Sequence, residues 1–383
     1  MLLKLSIRCV PCLSFALLTS CALQQPSPVP SPASSAPTAL VQKPSSQPAV
    51  AVAGAVSAGP GAAPAIRPPE SDSRQAAATI DKTAALQAWV DQENRLYRVA
   101  APLVLKNTEL CPHHVHNILG FTAKNRYSYA EAYTTLAHSA LGLGEKLRVM
   151  NVLPGSGAEL AGIRKGDVLL AAEIEPLPSG PTAERDGAAI IASEMRGRQS
   201  MSLTVLRGGQ HEVVKVPLTS ACAMAIELGN TDDVSSFSDG YRMVVTRGML
   251  QYVHSDQELA YVIAKEVAHN ILESDERQDM ADVIDRLQVF RTRTVPMAAD
   301  RVQPYTPVRD ATADKLSLYM LARAGYDIDN TLSFWQDLAE HYPIEIYSGY
   351  GRLHPSSSYR FSVMAEITKV LKTKEANNLP LMP

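Results

Sequence analysis

The stretch Glu258-Leu-Ala-Tyr-Val-Ile-Ala-Lys265-Glu266-Val-Ala-His269-Asn-Ile-Leu272 decides how this chain is read. Leu259, Val262, Ile263, Val267, Ile271 and Leu272 recur at the spacing of a buried helix, and Ser255, three residues before Glu258, predicts a capping pair at its start. Lys265 and His269 then lie one turn apart on a shared face, with Glu266 beside them. A helix with imidazoles at both positions would offer two metal ligands, and the carboxylate would serve as general base for a metal-bound water. Here the first position is a lysine. Charged residues on a solvated face produce Glu-x-x-His by chance, so the flanking sequence has to decide.

Upstream stands Asp239-Gly-Tyr-Arg-Met-Val-Val-Thr-Arg-Gly-Met-Leu250, followed by Ser255-Asp-Gln-Glu-Leu-Ala260. Downstream stand Asp310-Ala-Thr-Ala-Asp314, Leu321-Ala-Arg-Ala-Gly-Tyr-Asp327, and Leu353-His354-Pro355 with Arg360. Together with Lys265-Glu-Val-Ala-His-Asn270, these segments resemble the HtpX and CAAX-prenyl-endopeptidase-like zinc metallopeptidases (peptidase family M48), over about residues 222 to 370.

The resemblance implies a zinc held at positions 265, 269 and 310. It places the general base at Glu266, a residue orienting His269 at Asp314, and a further histidine near the metal at His354. Two of the three ligand positions depart from the pattern, because Lys265 replaces a histidine and Asp310 a glutamate. A protonated lysine cannot ligate zinc. Three readings follow. The first is a pseudo-peptidase in which Lys265 supplies the metal's charge, its ammonium pairing with Asp310 and Glu266, and the domain binds polypeptides or partner proteins without cutting them. The second is an active zinc metalloendopeptidase acting on envelope proteins through a rebuilt set, His269, Asp310 and His354, all legitimate zinc donors. The third is a structural envelope component with no peptide groove in use. The first is expected, with zinc absent.

The chain has 383 residues, 46% of them hydrophobic, and a net charge of -3, which allows two or three globular units and gives no electrostatic basis for nucleic-acid binding. Residues 1–20 have the form of a secretory signal: Lys4 and Arg8, then an apolar run from Val10 to Leu18. Leu18-Thr19-Ser20-Cys21 looks like a bacterial lipobox, which predicts lipid on Cys21 as the membrane anchor. By resemblance to sorting rules in diderm bacteria, Ala22 directs such a lipoprotein to the outer membrane, facing the periplasm. Residues 21–75, rich in Pro, Ala and Ser, lack periodicity and are expected to form a disordered tether reaching some 40 Å as a coil. Cys111 and Cys222 remain, and an exported chain with two such cysteines is expected to join them.

Residues 76–140 are predicted to be a helical segment packed on the later domains, with Leu86, Trp89, Val90, Leu96 and Val99 as its buried stripe. His113, His114 and His116 crowd one loop, without a carboxylate or free cysteine beside them to complete a metal site. Residues 141–218 alternate short apolar strands with turns, and Pro154-Gly-Ser-Gly-Ala158-Glu-Leu-Ala-Gly162-Ile-Arg-Lys-Gly166-Asp167 looks like the helix and Gly-Asp corner of a bacterial PDZ domain. Such a module takes a peptide partner as an added strand. Leu141-Gly142-Leu143-Gly144 is the candidate peptide-binding loop, an imperfect match.

Residues 222–383 form the metallopeptidase-like domain, in which Arg242–Val245 is expected to flank the groove, with helices near 276–291, 310–324, 330–341 and 356–372. The expected fold class is α+β: a PDZ-like sheet domain plus a mostly helical zincin-like domain with a small sheet.

Overall fold

The computed structural model describes residues 70–222, 224–240, 242–273, 304–346 and 349–383. The expected signal, Cys21, most of the tether and the helix near 276–291 lie outside the described residues.

A long helix, α1 (Glu70–Leu105), opens the described chain. Its stripe of Leu86, Trp89, Val90, Leu96 and Val99 is buried as the periodicity predicts. The chain then passes Cys111 and a short strand, β1 (Val115–Ile118), before a second strand, β2 (Phe121–Lys124). A helix, α2 (Thr134–Leu141), separates these from β3 (Arg148–Val152), the short helix α3 (Gly157–Leu160), β4 (Val168–Ala172) and β5 (Glu175–Pro176). The helix α4 (Ala183–Met195) and the hairpin β6 (Ser200–Arg207) and β7 (Gln210–Pro217) complete this part.

These strands make an antiparallel sheet in the order β2-β3-β4-β6-β7, with β5 beside β4. Its core joins Val149, Leu169, Leu203 and Val205 to Ile191 of α4 and Ala158 of α3. The predicted Gly-Asp corner is present: Asp167 is buried and paired with Arg207, whose guanidinium reaches both of its carboxylate oxygens.

Side chains alternate across a strand, so β3 serves two cores. Val149 enters the core of this sheet, and Met150 enters the larger core shared with α1.

The sheet takes in β2, which lies upstream of residue 141. The candidate loop Leu141–Gly144 does something else: Gly142 ends α2 in the left-handed conformation, and Leu143 is buried in the larger core. The turn that leads into the edge strand is Leu119-Gly120-Phe121. Gly120 has φ +92°, and a Cβ there would sit 2.1 Å from Ser156 Cβ. Only glycine allows that approach.

The return to the helical part runs through β8 (Thr219–Cys222), which pairs with β1, so that Val115 faces Cys222. Cys111 and Cys222 are bonded, with Cα atoms 5.9 Å apart. A three-stranded sheet follows, β9 (Ala225–Gly229), β10 (Ser236–Ser238) and β11 (Arg242–Thr246), in the order β10-β11-β9. The expected groove strand at 242–245 is therefore the central strand. The edge belongs to β10, three residues too short to show in the sequence pattern.

Next come α5 (Arg247–Tyr252) and α6 (Asp256–Glu273). Every residue from Leu259 to Asn270 of α6 is buried, as befits a helix surrounded on all sides. Ser255 accepts the Glu258 N–H at 3.1 Å, while the Glu258 carboxylate turns to the His254 N–H. The last elements are α7 (Pro307–Ala324), α8 (Thr331–His341), α9 (Tyr350–Leu353) and α10 (Ser358–Ala376). Thr306 caps α7, Pro307 opens it, and Gly325 at φ 87° ends it. Among the described residues no helix is long and apolar enough to cross a membrane.

Candidate metal centre and groove

Helices α6 and α7 lie side by side, and each presents two polar side chains, one turn apart, to the other. Lys265 and His269 come from α6; Asp310 and Asp314 come from α7. Lys265, Glu266, His269, Asp310, Asp314, His354 and Arg360 each expose 1% or less of their surface. Burying so many charges is tolerable only if they satisfy one another.

The Lys265 Nζ lies 2.8 Å from Asp310 Oδ1 and 2.7 Å from Asp314 Oδ1. Arg360, from the first turn of α10, clamps Asp314 through Nε and Nη2, and its Nη1 lies 3.3 Å from Asp310 Oδ2. Below both cations is the indole of Trp335, with Lys265 Nζ and Arg360 Cζ each 5.3 Å from a ring centroid. That distance is within the range of cation–π attraction.

The expected pairing of Lys265 with Glu266 does not occur. Consecutive residues on a helix point in different directions, and Glu266 turns instead to β10. There the Ser236 hydroxyl donates to Glu266 Oε1 at 2.7 Å, and His354 Nε2 lies 3.3 Å from the same oxygen without hydrogen-bond alignment. Asp314 does not orient His269 either. It lies one turn further along α7, level with Lys265, and Asp310 takes the place beside the imidazole. His269 Nε2 and His354 Nδ1 both lie 2.9 Å from Asp310 Oδ1.

Aromatic rings close the cluster. Tyr305 stacks on His269, with centroids 3.7 Å apart at 22°, and Tyr350 stacks on His354 at 4.3 Å and 9°. The Tyr305 hydroxyl donates to the backbone carbonyl of Ser238 on the edge strand β10. Sequence reading missed Ser236, Tyr305, Trp335 and Tyr350, and it saw Arg360 only as a neighbour of the His-Pro segment. A serine in a Ser-Ser-Phe-Ser run and a tyrosine in a loop carry no periodic or spacing signal. Their roles come from tertiary contact.

Environment sets the protonation of the cluster. Burial pushes the Asp310 carboxyl up, but Lys265, Arg360 and His354 together outweigh it and hold Asp310 well below the ordinary range. Glu266 is also pushed up by burial and held down overall, by His354, His269 and Ser236. Burial lowers the His269 imidazole below its ordinary value. The same burial lowers His354, but Asp310 and Glu266 outweigh it and leave His354 raised.

His269, Asp310 and His354 offer ligand atoms within 4.8 Å of one another, and this set could hold a metal ion. The three clustered imidazoles of His113, His114 and His116 form no such group among the described residues. Yet the buried set does not fit a divalent ion while Lys265 is present. Asp310 Oδ1 already faces an ammonium and two imidazole nitrogens. Without a metal the charges match: with His354 protonated, the cations Lys265, Arg360 and His354 face the carboxylates Asp310, Asp314 and Glu266. A dication would break that balance in a medium where charge imbalance is costly.

The family model described as Peptidase family M48 matches residues 230–368, so the resemblance read from the sequence is borne out over that stretch. No curated protein matches the chain. Among solved structures, the chain is similar to the crystal structure of the HtrA3 PDZ domain bound to a phage-derived ligand (FGRWV), at 18% identity and a TM-score of 0.21, covering 28% of this chain and 89% of that one.

Proposed function

We propose that this chain is a pseudo-peptidase of the bacterial envelope: a peptidase-like domain that holds polypeptide or protein partners without cutting them. The observation that carries the reading is the Lys265 ammonium, wholly buried and bridging Asp310 and Asp314 where the peptidase pattern has a metal ligand. It ties α6 to α7 as a metal would. Glu266, in the general-base position, has Ser236 and His354 as its neighbours. Polypeptide binding is supported by the sheet architecture, since an edge strand can accept a further strand by backbone pairing. Lipid on Cys21 would hold the protein to the outer membrane, facing the periplasm.

Metal analysis of the purified wild-type protein, run beside a cleavage assay on β-casein and a pull-down with immobilised, reduced and carboxymethylated α-lactalbumin, tests the proposal. The expected result is retention of the unfolded polypeptide with neither stoichiometric zinc nor cleavage. One zinc per chain together with cleavage would establish the alternative, an active metalloendopeptidase using His269, Asp310 and His354. Absence of both zinc and polypeptide binding would leave a structural component.

A further inference from the structure

An edge strand normally leaves alternate backbone groups free to pair with another chain. β10 does not. It is an edge of its sheet, yet Ser236, Phe237 and Ser238 are each 4% exposed or less. Ser235 and Asp239 turn their backbone groups to β11, where the Ser235 carbonyl accepts the Thr246 N–H and the Asp239 N–H donates to the Arg242 carbonyl. By alternation, Val234, Ser236 and Ser238 form the outward row. Both ends of that row are taken. The Tyr350 N–H donates to the Val234 carbonyl at 2.9 Å, and the Tyr305 hydroxyl lies 3.1 Å from the Ser238 carbonyl and 3.1 Å from the Ser238 hydroxyl.

The two closures differ in what holds them. Tyr350 belongs to the main hydrophobic core and stacks on Trp335 as well as on His354, so it stays with the fold. Tyr305 belongs to none of the hydrophobic cores among the described residues, and its neighbours Pro304 and Thr306 are exposed. Its N–H donates to the Leu353 carbonyl and Thr306 caps α7, which fixes the backbone and leaves the side chain as the part that can turn. The ring covers His269, with the His354 centroid 4.9 Å away at 32°. Turning it out would free the Ser238 carbonyl and, in the same movement, open a flat slot over the His269 imidazole.

We propose that the Tyr305 side chain gates the β10 edge, and that the polypeptide it admits is an extended segment carrying an aromatic side chain. The proposal rests on the polypeptide-binding reading above and names its site. The incoming backbone pairs with Ser236 and Ser238 as an added strand, its register stopped at Val234 by the Tyr350 N–H. Its aromatic side chain enters the slot and restores the stack on His269 that Tyr305 gives up. A small side chain would leave that buried imidazole face without contact.

The first measurement is hydrogen exchange on the full chain without any peptide, which depends on neither zinc nor a partner. In Tyr305→Ala the amides of Ser236 and Ser238 should speed up at least about ten-fold more than those of 256–273. An equal rise in both segments, or none at Ser236 and Ser238, overturns the gate. The second measurement is binding of two labelled peptides, Thr-Val-Thr-Tyr-Thr-Val-Thr and Thr-Val-Thr-Ala-Thr-Val-Thr. The tyrosine peptide should bind Tyr305→Ala about ten-fold or more tightly than it binds the wild type, and the alanine peptide should gain less. Should Tyr305→Ala fail to fold, Tyr305→Phe, which frees the Ser238 carbonyl but keeps the ring, takes its place in both measurements. Equal gains overturn the aromatic slot. No gain, while both proteins retain carboxymethylated α-lactalbumin, overturns the gate and leaves the polypeptide-binding reading standing. Faster exchange at Ser236 and Ser238 with no polypeptide retained by either protein would remove that reading and, with it, the proposed occupant.

Discussion

The phenol of Tyr305 lies flat on the imidazole of His269, with centroids 3.7 Å apart, and its hydroxyl reaches over to the Ser238 carbonyl. One side chain thereby covers the imidazole and occupies a backbone acceptor of the edge strand. Tyr305→Ala should expose His269 to diethylpyrocarbonate and destabilise the fold by about 3 kcal/mol, as loss of a buried aromatic does. Tyr305→Phe keeps the ring and should cost only about 1 kcal/mol for the hydrogen bond. Equal His269 modification in the wild type and Tyr305→Ala would show that Tyr305 shields nothing.

Lys265 makes a sharper claim. Its removal in Lys265→Ala leaves Asp310 and Asp314 facing each other with only Arg360 and the imidazoles between them, and the loss should be on the order of 3 to 5 kcal/mol. A change under about 0.5 kcal/mol, typical of a surface residue, would contradict the buried bridge. Lys265→His combined with Asp310→Glu should take up zinc, read as metal content and as a zinc-dependent rise in Tm.

The two imidazoles give stability an opposite slope on either side of the ordinary histidine value of about 6.5. His269 is lowered, so below that value the unfolded chain binds a proton that the folded one refuses, and stability falls as pH drops. His354 is raised, so its contribution is complete below that value and is lost as pH rises through the folded value. The urea midpoint should therefore peak near neutrality, and His354→Asn should flatten the alkaline limb. A wild-type midpoint that climbs steadily past pH 8 would refute the assignment.

The Cys111–Cys222 bond spans 111 residues of sequence, and for a loop of that size chain entropy gives about 4 to 5 kcal/mol of stabilisation. Chemical denaturation of the Cys111→Ala, Cys222→Ala variant should show a loss of that order. Thiol labelling of unreduced, unfolded wild type should find neither cysteine.

Cys21→Ser should move the protein from the membrane pellet to the soluble envelope fraction. Retention of the variant in the pellet under high salt would reveal a second anchor.

The helix of the Lys265 stretch was legible because an apolar period repeats over many residues, and the Gly-Asp corner through its resemblance to that of a PDZ domain. His269, Asp310 and His354 could be grouped through the resemblance, and the structure brings them together. Which carboxylate faces which cation could not be read, because that depends on the axial offset between α6 and α7, a matter of packing. The same holds for β10: three residues contain less than two full alternations, too few for a strand signal. The turn at Leu119-Gly120-Phe121 escaped notice because its glycine is explained by Ser156, a partner distant in sequence.

The bond between Cys111 and Cys222 stands beside the ladder that pairs Val115 with Cys222, so the chain leaves the helical half and re-enters it at one narrow neck. Tension applied between a point before residue 111 and a point after residue 222 would run through the sulfur atoms and bypass everything between them. Under load, the sheet between the two cysteines is a mechanically shunted loop. It would keep its shape while α1 and the helices around Lys265 bear the strain, and in a pulling experiment its extension would appear only after the disulfide is reduced.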